Sequence, residues 1–158
     1  MATVTSDQAA ASFPVYRAMQ RRAAYVEYGT YTIASALSKS DIIEFCKVDA
    51  CLIIDGFLAS PELDTDATPT MELDVGIAGD TDALLDSGVL TGEAVSDVLP
   101  THATNKLTRL GFNGLYINGP LTVSSETTLI GTVTAVAATG GTGLVWISAL
   151  CISNEAPV

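Results

Sequence analysis

The sequence predicts an all-β protein: an antiparallel jelly-roll-like β-sandwich with an extended or partly helical N-terminal arm and one short helical segment. Three observations carry this expectation. From about residue 26 the apolar residues recur with period two, the spacing of a half-buried strand. The apolar runs are short and rich in β-branched and aromatic residues, and Asn-Gly, Gly-Pro and Gly-Gly pairs punctuate them. Seven or eight such runs, no tandem repeat and almost no helical periodicity suit a sandwich, of which a jelly roll fits best.

Residues 1–25 form the arm. Its first part is rich in Ala, Ser and Thr, and "FPVYRAMQRRAAY" follows. After Pro14 the spacing of Arg17 and Arg21, four apart, suits one face of a short helix, but the same stretch also suits an extended arm that orders on a partner. Residues 26–158 form a single sandwich domain. In "TYTIASAL", Tyr31, Ile33, Ser35 and Leu37 share one face, and "DIIEFCKV" and "CLIIDGFLA" are apolar runs on either side of a turn at Asp49-Ala50. "MELDVGI" has the clearest alternation, with Met71, Leu73, Val75 and Ile77 on one face and Glu72, Asp74 and Gly76 on the other. Residues 81–98 are expected to be partly helical, with Gly79 as the preceding turn and Asp80 or Asp82 as cap. "LTRLGFNGLYI", "TLIGTVTAVAA" and "GLVWISALCIS" supply the remaining strands, and Trp146 in the last is expected to anchor the core.

Composition narrows the function. Hydrophobic residues make up 48 % of the 158 and charged residues 16 %, against roughly 25 % charged in ordinary globular domains. A chain so poor in charge is expected to hide surface against other copies or a larger assembly. The net charge of −11 argues against direct nucleic-acid binding, which needs cationic surface. That charge is unevenly placed: residues 1–26 hold three arginines and one aspartate, whereas the rest holds four basic and seventeen acidic residues. No apolar run is long enough to span a bilayer, and the start of the chain lacks the pattern of a secretory signal.

The residues that carry chemistry are few. Cys46, Cys51 and Cys151 lie in apolar segments and are expected to be buried free thiols. With His102 the one histidine, no Ser/His/Asp triad or His-based metal site is expected. Asp80, Asp82 and Asp86 lack the spacing of a calcium loop, and Glu62, Asp64 and Asp66 fall in a solvated Pro- and Thr-rich connection. Ser124, Ser125 and Glu126 form a turn, and "TGGTG" at 139–143 joins two strands and so is no phosphate loop. No enzyme activity, metal or cofactor is expected. The arm residues Tyr16, Arg17, Arg21, Arg22 and Tyr25 combine cations with aromatic surface, as interfaces do, and are the candidate partner-binding residues.

The order "YTIASALSKSDIIEFCKV", "CLIIDGFLAS", "MELDVGIAGDTDALLDSG" and a terminal "GLVWISALCIS" resembles small structural proteins of tailed bacteriophages, in particular head decoration (cement) proteins with a jelly-roll sandwich. The resemblance spans about residues 26–153, and "LDVG…GDTDALL" is its most telling piece. It implies a non-enzymatic homotrimer, made in the host cytoplasm, on the outer capsid surface of the virion. There it would clamp neighbouring major capsid protein subunits against internal DNA pressure. It carries over no catalytic residue, and it does not cover the arm. A tail, baseplate or receptor-binding component and a carbohydrate-binding jelly-roll module are the alternatives.

Overall fold

The computed structural model describes residues 3–5, 24–59, 71–86, 108–110, 120–136 and 142–153. These residues form ten strands and no helix: β1 (Thr3–Thr5), β2 (Ala24–Ile33), β3 (Ile42–Val48), β4 (Cys51–Ala59), β5 (Glu72–Ile77), β6 (Asp80–Leu85), β7 (Thr108–Leu110), β8 (Leu121–Val123), β9 (Thr127–Ala135) and β10 (Gly143–Ser153). One sheet has the order β1-β3-β9-β5-β6 and the other β2-β10-β4-β7, with β8 also paired to β4. All pairings are antiparallel except β1 with β3. The all-β sandwich expected from the period-two patterning is the observed fold.

The two sheets close on one apolar core. Ile43, Phe45 and Val48 of β3, Leu73 and Val75 of β5 and Leu129 and Val133 of β9 face Ile53 and Leu58 of β4 and Val145, Ile147 and Ala149 of β10. In β10 the alternation is strict, with residues 145, 147, 149 and 151 inward and their neighbours outward. The edge of β2 meets β3 so closely that a Cβ on Gly29 would collide with the Phe45 carbonyl and crowd the Cys46 Cβ. No other residue fits there.

Local hydrogen bonds dock the loop between β2 and β3. Asp41, buried, accepts from the Ser38 amide through Oδ2 at 2.9 Å, and its own amide donates to the Ser38 carbonyl at 3.0 Å. The Ser40 amide donates to the Val133 carbonyl at 2.8 Å, and the Val133 amide donates to the Asp41 carbonyl at 3.0 Å. A short polar side chain thus closes a turn whose backbone then extends the ladder of β9.

Two expectations are corrected here. Residues 80–85, expected as the start of a helix with a capping aspartate, are strand β6. Gly79, with φ at 96°, reverses the chain so that Ile77 pairs with Asp80 and Val75 with Leu85. Pairing with β5 supplies backbone partners that a cap would otherwise provide, and the acids become strand residues. The remainder of the expected helix, 87–98, lies outside the described residues. Trp146 is the second correction: it is 51 % exposed. Val145 and Ile147 occupy the core on either side of it, so the pleat turns the indole outward.

The segment expected as an arm is held at both ends. Thr3–Thr5 form β1, paired in parallel with Ile42–Glu44, and β2 takes in Ala24 and Tyr25.

Asp41→Ala is expected to lower stability by about 1–2 kcal/mol, and Gly29→Ala by about 2–3 kcal/mol. Urea unfolding midpoints check both, and a Gly29→Ala midpoint equal to that of the parent would contradict the close approach of β2 and β3.

Candidate interaction surface

The two outer faces of the sandwich differ in chemistry. On the β3-β9-β5 sheet, burial of Ile43 and Phe45 turns Glu44 outward, and burial of Leu73 and Val75 does the same for Glu72 and Asp74. Asp74 sits opposite Thr132, and the exposed Asp80 and Asp82 of β6 extend the acidic edge. Burial and then hydrogen bonding to Asp82 push the Asp80 carboxyl up, the behaviour of two acids two residues apart on one strand face. Among the described residues, no group of three or more His, Cys, Asp or Glu side chains is arranged to hold a metal ion.

The opposite outer face, on β2-β10-β4, carries a cluster of exposed aromatics. Ser148 pairs with Tyr28 on one side and Phe57 on the other, and Trp146, one row along, pairs with Thr30 and Ala59. Tyr28 is 61 % exposed, Val26 55 % and Phe57 42 %. The aromatics border a shallow depression of about 310 Å³, and among the described residues no charged side chain lines it. Asp55 belongs to the neighbouring row, opposite Leu150, and its Oδ1 accepts from the Gly56 amide at 2.8 Å. Three half-exposed aromatics beside one another on an outer sheet face make it the candidate contact surface.

Of the candidate arm residues, Tyr16, Arg17, Arg21 and Arg22 lie outside the described residues, as do His102, Glu62, Asp64 and Asp66. Tyr25 is in β2, opposite Cys151, and packs partly buried against the core. Its hydroxyl shares a hydrogen bond with Cys51, and burial pushes that hydroxyl up. The sequence argument missed Tyr28, Phe57 and Trp146. Their strands carry apolar residues in both phases, so the alternation by itself did not single them out.

All three cysteines are buried and free. Burial and then the Glu27 charge push the Cys46 thiol up to about 12, while a hydrogen bond to Cys51 and then burial push Cys151 up. Neither is a thiolate at neutral pH, so these are core residues rather than nucleophiles.

Glu27 is the exception inside the sandwich. On the inward face of β2 opposite Ala149, it is only 8 % exposed, and among the described residues its Oε1 has no hydrogen-bond partner. Burial first, and then the Asp49 charge, push the carboxyl up to about 7. Because the folded value lies above the unfolded one, the native state holds the proton more tightly, and stability falls as pH rises through this window. The stability loss from about pH 5 to pH 8 is expected to be roughly 1–3 kcal/mol and to be absent in Glu27→Gln. Thermal unfolding across that range checks it, and parallel pH profiles for the two proteins would show that Glu27 is not the source.

Among the described residues, no helix is long and apolar enough to cross a membrane. No protein-family model matches the sequence, and no curated protein does. Solved structures do match. A chain in the capsid of Ralstonia phage GP4 aligns with a TM-score of 0.74 at 18 % identity, covering 98 % of this chain and 100 % of that one. A chain in the capsid asymmetric unit of cyanophage Pam1 aligns with a TM-score of 0.63 at 22 % identity, covering 91 % and 96 %. The chain therefore has, over nearly its whole length, the β-sandwich fold of chains found in two phage capsids.

Proposed function

We propose that this chain is a non-enzymatic structural protein of a phage virion that decorates the outer surface of the head as a homotrimer and bridges major capsid protein subunits. The observation that carries the proposal is the end-to-end fold match to two capsid chains. The likeness spans 98 % and 91 % of this chain and 100 % and 96 % of the two capsid chains, so it covers nearly the whole of each. The charge-poor composition supports it, because a surface covered by neighbours needs few charges. In this proposal the segment that carries Tyr16, Arg17, Arg21 and Arg22, continuing to Tyr25, is the attachment arm. Its cations oppose the acidity of the body, and the pairing of β1 with β3 anchors its start. Many weak contacts repeated around a particle give avidity, and a ligand that binds only the assembled lattice stabilises that lattice.

A carbohydrate-binding role draws on one observation, the exposed Trp146, Tyr28 and Phe57 on a sheet face. A glycan array with the purified protein separates the two: saturable binding to a defined glycan supports this second role.

Two experiments test the decoration role. Mass spectrometry and labelled-antibody microscopy of purified particles are expected to find the protein on the outer head, and a tail-only location would overturn the proposal. Arg17→Ala, Arg21→Ala and Arg22→Ala together are expected to leave the unfolding midpoint unchanged while weakening attachment to heads by about tenfold or more. Equal decoration by the triple variant would remove the arm from the mechanism.

A further inference from the structure

We propose that Cys51 and Cys151 are a latent disulfide pair, two buried thiols placed to close a covalent staple between β4 and β10 when the chain meets an oxidant. The pair sits in the core of the sandwich, and its chemistry does not depend on the proposed place of the protein in a virion.

Register brings the two together. Ser153 of β10 pairs with Cys51 of β4, and Cys151 pairs with Ile53, so the cysteines are diagonal neighbours on the inner face of adjacent strands. Both are fully buried, and their thiols share a hydrogen bond. The Cys151 thiol also donates to the Ala149 carbonyl at 3.7 Å. Sulfurs already in contact reach the bond length of about 2.05 Å by side-chain rotation and a small shift of the strands. Cys46, the third thiol, is on β3 in the opposite sheet.

The surroundings supply both a way in and an attacking group. The ladder between β4 and β10 shifts register between Leu150 and Cys151, immediately beside the pair. Cys51 is the first residue of β4, directly after the turn at Asp49-Ala50. An interrupted ladder at a strand end is where two strands part most readily. Cys51 attacks first: the hydrogen bond with Cys151, opposed by burial and reinforced by the Tyr25 hydroxyl, holds its thiol below the ordinary value.

The oxidant is a small-molecule disulfide. The Cys51 thiolate attacks one of its sulfurs, forming a mixed disulfide and releasing one thiolate. Cys151 then gives up its proton and attacks the Cys51 sulfur, expelling the second thiolate. Two protein thiols thus lose two electrons and two protons, and the small disulfide leaves as two thiols. Close packing favours the second step, because the core holds two bonded sulfurs but has no room for the remainder of the small molecule. The staple closes the chain from residue 51 to residue 151, and long loops of this kind constrain the unfolded chain most.

Incubation of the folded full chain with glutathione disulfide at about pH 8, followed by unfolding in N-ethylmaleimide and intact-mass measurement, tests this. Three maleimide adducts are expected before oxidation, one per free cysteine. One adduct and no bound glutathione are expected after it, with a peptide map joining Cys51 to Cys151 and leaving Cys46 alkylated. The thermal midpoint is expected to rise by about 5 °C or more and to return on reduction. Cys46→Ala is expected to form the same bond and Cys151→Ala to form none. Should Cys151→Ala perturb folding, the peptide map of the parent identifies the pair. Three adducts at every ratio of oxidised to reduced glutathione would overturn the proposal. So would stable glutathione on Cys51 beside a free Cys151, a bond to Cys46, or a bond that forms only in the unfolded chain.

Discussion

Strand β10 is the constraint on which the rest depends. It is hydrogen-bonded on both sides, to β2 along one edge and to β4 along the other, so it cannot rotate or slip without breaking two ladders. Its inward residues Val145, Ile147, Ala149 and Cys151 are all essentially inaccessible and form the floor of the core. Everything opposite follows from the pleat: Trp146 and Ser148 must face out, and pairing then sets Tyr28 and Phe57 on either side of Ser148. The aromatic face is thus the geometric complement of the core rather than a separate construction.

The same logic operates across the sandwich with opposite chemistry. There the outward positions of β3 and β5 hold Glu44, Glu72 and Asp74, and the outer face is acidic. The two layers therefore present different outer chemistry, acids on one face and a cluster of exposed aromatics on the other. The close approach at Gly29 ties the two layers together, because it presses the edge of the apolar sheet against β3. Glu27, two residues before Gly29 on β2, is buried at the same edge, and burial pushes its carboxyl up to about 7.

The fold class was legible in the sequence because side-chain alternation is a local property. Met71 to Ile77 alternate unambiguously, and Leu73 and Val75 are fully buried. The buried state of Cys46, Cys51 and Cys151 followed from their apolar neighbours. Residues 80–85 were misread because Gly-Asp-Thr-Asp satisfies the local rules for a helix cap and for a hairpin equally well. Only the partner strand decides between them.

By itself the sequence determined that this chain forms short strands with a two-residue period, closes them on an aliphatic core and carries too few charges to cover its surface alone. Tertiary structure alone decided which phase of each strand is inside. In "GLVWISALCIS" both phases are apolar, so hydrophobicity cannot choose between Val145 and Trp146; the ladders to β2 and β4 on either side do. That choice, made by long-range pairing, turns a tryptophan expected in the core into an exposed residue of the outer β2-β10-β4 face.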